Sequence, residues 1–438
     1  MSLLAAAVLL GCEPALATLD VPTITISPDV GTVATATWPD TADTPTRIEV
    51  SMVGSGTWLT SDWQSPGEGH SAALLGLGAD NQWVATVESE SGEYSDGVSF
   101  STEGLPAESP AWDTTGEAGW EGYLYTSTIG LNACAIIMDE RGVPVWYQAA
   151  DTGFVVLRAR PRVNGKGVVY GQTLESDNPG TPTLRWTNWD GTVDREQEVP
   201  DYTHDFVELA DGTLIYIKND IRVVEGQDKL VWGNSIAELS TDGIESTLWS
   251  TWDDWVPGID GPIQSNGYWT HANALDINAD ETILTLGFRD LSIIIQLDRH
   301  TGERTWQMGG TQSDVSFANV SDAPSFQHQF EWNDDELSVF DNRESPNDSR
   351  AIALAFDTQA GTASKTWEWQ RDPGLWSYVL GDVHRWDDGG ALVTFTTAGV
   401  IDDIDAEGNV RWELTTAFRT ATSYTTFATA LPGVTRAR

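Results

Sequence analysis

Four of the six histidines in this chain recur at one phase of a repeating pattern. His204 precedes DFVELADGTLIY, His271 precedes ANALDINADETILTL, His328 precedes QFEWNDDELSVF and His384 precedes RWDDGGALVTF, at spacings of 67, 57 and 56 residues. Imidazole, with an ordinary pKa near 6.5, is largely neutral at pH 7 and keeps one free lone pair, which suits both metal ligation and nucleophilic or acid–base work. A single such histidine reads as a structural hydrogen bonder. Four in phase read as reactive groups gathered at one place, because scattered structural histidines have no reason to share a phase. Zinc wants three or four ligands converging within about 2 Å of the ion, often with carboxylate or cysteine among them. Four histidines on four repeats fit that poorly, although an axial metal stays open.

Asn273 stands one residue beyond Ala272 and two beyond His271, and strand alternation would put both polar side chains on one side of the chain. Arg289 follows TILTLGF, one strand length later, while Arg343 in VFDNR and Arg385 beside His384 add cations near the same phase. The chain has 66 Asp and Glu against 23 Lys and Arg, a formal charge of -43. Cations collected at one phase of so acidic a molecule point to a locally positive pocket, suited to an anion with tetrahedral oxygens. His70 and His300 fall outside the phase and read as solvated. DINADET has some oxygen-ligand spacing but lacks the glycine and distal glutamate of a calcium loop, so it reads as a hairpin turn.

These groups need a scaffold that carries them to one axis, and a repeat supplies it. Six segments pair an acidic turn and glycine with a following strand: MDERGVPVW, TNWDGTVDREQEV, LSTDGIESTLW, LDRHTGERTW, FDTQAGTASKTWEW and IDAEGNVRW. Between them lie strands entered through a second turn, such as LADGTLIYIK and WNDDELSVFD. Repeats of about 40–50 residues made only of strands and turns mean propeller blades of four strands, and six repeats give a six-bladed β-propeller. The tail SYTTFATAL is expected to add the strand that closes the ring. Before the repeats, residues 12–105 alternate at strand period, as in TVATATW and RIEVSMV, and read as a small β-sandwich with its linker. The expected fold class is therefore all-β, with a sandwich over 12–105 and a propeller over 106–438.

The acidity excludes nucleic acid and anionic membrane surfaces as partners, since both require basic surface. Salt-rich surroundings would suit it but are not required. Only two cysteines occur, Cys12 and Cys134, so no disulfide framework is available. The start MSLLAAAVLLGCEP resembles a bacterial lipoprotein signal peptide, which implies removal of residues 1–11, acylation of Cys12, and an extracytoplasmic protein anchored by lipid at the outer membrane or in the periplasm. The run ALLGLGADNQWVATVESESG resembles the second half of a fibronectin type III sandwich.

Four longer stretches, THDFVELADGTLIY, THANALDINADETILTLGFRDLSIIIQLDRHTGERTWQMGG, FQHQFEWNDDELSVFDN and GDVHRWDDGGALVTF, resemble the bacterial arylsulfotransferases that use no nucleotide sulfate donor. The resemblance runs from about Tyr202 to Trp412. It implies transfer of a sulfuryl group from an aryl sulfate ester to a phenol, by a ping-pong route through a sulfated histidine, with no cofactor. It places the nucleophile at His328, sulfate-oxygen contacts and proton transfer at His271, Asn273 and Arg289, and a further active-site histidine at His204. No catalytic role passes to His384. Hydrolysis, with water as acceptor, is a variant of the same chemistry, and a non-catalytic cell-surface binding or adhesion module is the alternative from another class. The partners expected are small aryl sulfates and phenols, with no metal.

Overall fold

A computed structural model describes residues 19–39, 43–67, 69–107, 109–130, 132–174, 180–333, 335–344, 347–357, 359–417 and 420–437. The leader and Cys12 lie outside the described residues. The molecule is all-β, and among the described residues the single α-helix is the one turn Thr251–Asp254. No helix among them is long and apolar enough to cross a membrane.

The N-terminal part forms two sheets over one core. Thr23–Ile26, Ala34–Trp38 and His70–Leu74 make the first, and Trp58–Ser61, Thr46–Met52, Gln82–Ser89 and Val98–Ser101 make the second. Strict alternation of buried and exposed positions sends Ala34, Ala36 and Trp38 of one sheet against Ile48, Val50 and Trp83 of the other. His70, expected in solvent, sits in a strand with its ring 5.2 Å from that of Trp38. The second sheet also receives Val434–Ala437, paired antiparallel with Trp58–Ser61. The far end of the chain thus lies in the N-terminal sheet rather than in the propeller.

Six more sheets follow among the described residues, antiparallel except where Ser316–Phe317 adds in parallel to the outer edge of the fifth, and their main strands run outward in chain order. This is the blade arrangement of a β-propeller. The innermost strands are Phe154–Pro161, Tyr202–Glu208, Ala272–Ile277, His328–Asn333 and Asp382–Arg385, and in the first sheet the tail segments Ala421–Thr422 and Thr426–Ala428 take that place beside Tyr123–Ile129. Thr425 ties the tail to the sixth sheet, its N and Oγ1 donating to Asp382 Oδ2 at 2.8 and 3.1 Å. Trp112–Gly116 covers the outer edge of that same sheet, so the first and last sheets each join early and late segments of the chain.

The repeat seen in the sequence has a backbone cause. Gly142, Gly191, Gly243, Gly302, Gly361 and Gly408 all take positive φ, between 63° and 86°, a region open to glycine at no steric cost. In five of these turns an aspartate ahead of the glycine organises the backbone, as where Asp298 Oδ1 accepts from the backbone N–H groups of His300 and Thr301, whereas before Gly243 Ser240 Oγ does so, accepting from Ile244 N. The tryptophans knit neighbouring sheets, as where Trp369 Nε1 of the fifth donates to Gly408 O of the sixth at 2.9 Å.

Candidate active site

His204 and His271 meet where the inner strands of the third and fourth sheets begin, their rings edge to face with centroids 4.9 Å apart. Both residues hold left-handed backbone, φ 58° and 52°, which is uncommon outside glycine and costs on the order of 1 kcal/mol or more each. The kink lets the chain enter the axis and turn at once into a strand. Arg289 closes the facing strand, and its N–H donates to His271 O at 3.0 Å. Its guanidinium donates to Asp290 Oδ1 at 2.5 Å and to Tyr378 O at 3.3 Å, and lies over the Phe326 ring.

His328 opens the inner strand of the fifth sheet and is completely buried. Its Nδ1 lies 2.8 Å from Asn342 Oδ1. Asn342 Nδ2 donates to the carbonyls of Ser377 and Leu380, both at 2.7 Å, which fixes the amide with its oxygen towards the imidazole. That oxygen can only accept, so Nδ1 of His328 carries the proton and Nε2 keeps the lone pair. Nε2 is buried without a hydrogen-bond partner among the described residues. Asn342 lies in the quoted VFDN tetrapeptide, but it contacts His328 from 14 residues away, just past the end of the neighbouring strand Glu336–Asp341. Only the pairing of those strands reveals it.

Asn273 differs from the expectation. It occupies a bulge, since Ala272 pairs with Phe288 and Ala274 with Gly287, and the extra residue breaks the alternation that would have set it beside His271. Its side chain is fully buried, and Nδ2 donates to Gln327 O at 2.8 Å while its backbone carbonyl accepts from Tyr424 Oη at 2.8 Å. Asn273 is thus tied to the residue preceding His328, and its Oδ1 is buried without a hydrogen-bond partner among the described residues.

Bulges at the same point of the third and fifth inner strands, around Asp205 and Gln329, complete an axial network. Asp205 accepts from Arg158 Nε at 2.9 Å, Gln329 Nε2 at 2.7 Å and Leu275 N at 3.2 Å. The residues that flank His204 and His328 in sequence thus lock their strands together across the axis.

His384 is placed elsewhere. It pairs with Leu392, the register that Glu331 rather than His328 holds in the preceding sheet, where Glu331 pairs with Ser338. Its Nδ1 lies 2.9 Å from Glu331 Oε2, and its ring meets Trp386 and Phe427. With Asp276, Glu331 and Asp382 it lines a cavity of about 160 Å³ at the opposite mouth of the axis. The four histidines do not form one ring. Three gather at one mouth and His384 lies at the other, because it stands four residues before Asp388 while His204 and His328 stand seven before Asp211 and Asp335. Arg385 goes with it and stacks on Trp367 at 3.9 Å. His300 is exposed in its turn, as its acidic surroundings predict.

Electrostatics keep the three gathered histidines neutral. Burial, reinforced by the neighbouring His271, lowers His204 to about 3. Burial and then Arg289 lower His271 to about 3. Burial takes His328 well below 6.5, against the opposing hydrogen bond of Asn342, with His271, His204 and Arg289 all lowering it further. The group is thus three unprotonated imidazoles, able to supply lone pairs, beside the guanidinium of Arg289. That guanidinium is paired with Asp290 but keeps Nε without a partner among the described residues, a donor for an anion. Among the described residues no set of three His, Cys, Asp or Glu side chains is disposed to hold a metal ion.

Residues 115–403 match the model of the Arylsulfotransferase (ASST) family. No curated protein matches the chain. Among solved structures the chain is similar to a putative 6-phosphogluconolactonase from Bacteroides fragilis, at 12% identity and TM-score 0.37, over 91% of this chain and 100% of that one. It is also similar to the Cps50 (Swd1) β-propeller domain of Myceliophteria thermophila, at 10% identity and TM-score 0.40, over 68% of this chain and 88% of that one.

Proposed function

Because the chain belongs to the arylsulfotransferase family, we propose that it moves a sulfuryl group from an aryl sulfate ester to a phenolic acceptor, with Nε2 of His328 carrying the group between them. One observation carries the reading. The Asn342 oxygen fixes the proton on Nδ1 and leaves a buried, unpartnered lone pair on Nε2, beside two neutral histidines and Arg289.

In the first half-reaction Nε2 attacks sulfur, the N–S bond forms, and the S–O bond to the aryl oxygen breaks. The aryl oxide leaves with the bonding pair and is protonated from solvent. A phenol with pKa near 10 is a far better leaving group than an alcohol, which accounts for aryl substrates. In the second half the phenol oxygen attacks sulfur and the N–S pair returns to Nε2. As the O–S bond forms and the phenol becomes acidic, its proton passes to neutral His204 or His271 and on to solvent, which replaces the one taken up by the aryl oxide. Charge spreads over the peripheral sulfuryl oxygens, as in phosphoryl transfer, so catalysis rests on positioning and on Arg289 as the fixed cation. Cys12 is proposed as the lipid attachment that holds the protein outside the cytoplasm, with the N-terminal domain as spacer. Loss of the protein from the membrane fraction in Cys12→Ala checks that part.

The deciding experiment incubates the purified protein with a chromogenic aryl sulfate, with and without phenol, and follows its intact mass. Phenol-dependent release and a transient sulfuryl adduct, both lost in His328→Ala, are expected. Equal release by wild type and His328→Ala would remove the nucleophile assignment, and no turnover of any aryl sulfate would leave the non-catalytic binding module.

A further inference from the structure

The two mouths of the axis differ in chemical character. The one at His384 is lined by charged groups, Arg158, Arg160, Asp276, Glu331 and Asp382 among them. The one at His204 and His271 is edged with aromatic rings. On one side the Tyr268 ring lies 5.5 Å from that of His271, and Trp232 backs it at 5.1 Å. Their backbones are bridged, Trp232 N donating to Gly267 O at 3.0 Å and Trp269 N to Trp232 O at 3.1 Å.

On the other side the loop between the fifth and sixth sheets brings up Trp376 and Tyr378, with ring centroids 5.9 Å apart. These rings are 42% and 53% exposed, although aromatic side chains of this size usually bury most of their area. The pair is nonetheless held. Tyr378 O accepts from the Arg289 guanidinium at 3.3 Å, and Trp376 Nε1 donates to Arg343 O at 3.3 Å. Each aromatic wall therefore touches the polar centre, one through a ring on His271 and the other through a carbonyl on Arg289.

Within the sulfuryl-transfer reading, on which this inference rests, we infer that Tyr268 on one side and the Trp376–Tyr378 pair on the other hold the aryl part of the substrate, and that the preferred substrates carry a second fused or linked ring. The sulfuryl group must reach a fully buried histidine, so the ring bonded to it lies low, beside Tyr268 and His271. A single ring ends there. The exposed Trp376–Tyr378 pair, whose segment reaches Arg289 through Tyr378 O, is left to a second ring, by offset or edge stacking.

The test is calorimetric binding of 2-naphthol and of phenol to the full protein, its Trp376→Ala variant and its Trp376→Phe variant. Wild type is expected to bind 2-naphthol about tenfold or more tightly than phenol. That ratio should fall towards one in Trp376→Ala and persist in Trp376→Phe. Equal affinities in wild type, or an undiminished ratio in Trp376→Ala, would overturn the aromatic clamp. Turnover of 2-naphthyl sulfate is read separately: if the binding ratio holds and no aryl sulfate is turned over, the clamp stands and the sulfuryl-transfer reading falls.

Discussion

Asn342 accepts a hydrogen bond from Nδ1 of His328 at 2.8 Å while its own amide nitrogen is committed to Ser377 O and Leu380 O. The relationship determines which imidazole nitrogen is nucleophilic. Replacing Asn342 by alanine should lower kcat by about 100-fold or more, in line with other residues that fix a histidine tautomer. KM should stay near wild type, and the sulfuryl adduct should form more slowly in rapid-quench intact-mass measurements. The variant also leaves Leu380 O without its donor, a cost of about 1–3 kcal/mol in unfolding free energy.

His384 serves as the internal control. It faces Glu331 at the far mouth, so His384→Ala should keep aryl sulfate turnover within a few-fold of wild type and still give an adduct on His328. Loss of the adduct would place His384 in the chemistry after all.

Asp205 holds together the axis on which the site is built. Burial raises its pKa, but Arg158 and Arg160 bring it down to about 2, so it stays ionised over the working range. Asp205→Ala would leave the guanidinium of Arg158, only 4% exposed, with Asp382 at 3.8 Å as its remaining carboxylate, and should cost about 3 kcal/mol of stability. Denaturant unfolding of the variant measures the loss, and Asp205→Asn, which keeps hydrogen-bonding atoms in place, should lose less.

The histidines also set a pH dependence. His271 is neutral in the native protein down to about pH 3, whereas in the unfolded chain it takes up a proton near pH 6.5. Between those values the unfolded chain binds the extra proton, so stability is lost as pH falls, by up to roughly 1.4 kcal/mol per pH unit for one such histidine. Asp382 and Asp402, raised by burial to about 6, act in the opposite sense above 3.8, because there the native state holds the extra proton. The informative quantity is therefore a difference. Between pH 6 and 4, His271→Asn should lose stability less steeply than wild type by about that amount, measured from urea unfolding curves.

These outcomes follow from how far a one-dimensional pattern reaches. The turn glycines gave the repeat away because each must sit at positive φ, and His204, His271 and His328 followed from the repeat. His384 falls elsewhere because chain spacing is not strand register, and four residues to the turn are not seven. Asn273 leaves the side of His271 through a bulge, which makes no mark in an apolar and polar alternation. Asn342 carries no signal of its own because its meaning lies in a neighbouring strand.

The tail segments inside the first sheet and the final strand in the N-terminal sheet have a consequence for assembly. Tyr424, which supports Asn273 from the tail, comes after every propeller strand outside the tail itself, and Val434–Ala437 must find Trp58–Ser61 across almost the whole length of the chain. Pairings so remote in sequence are the slowest to form. The proposed site is thus among the last parts of the molecule to be completed, and a chain still emerging from the ribosome holds its three histidines without the tail that supports them.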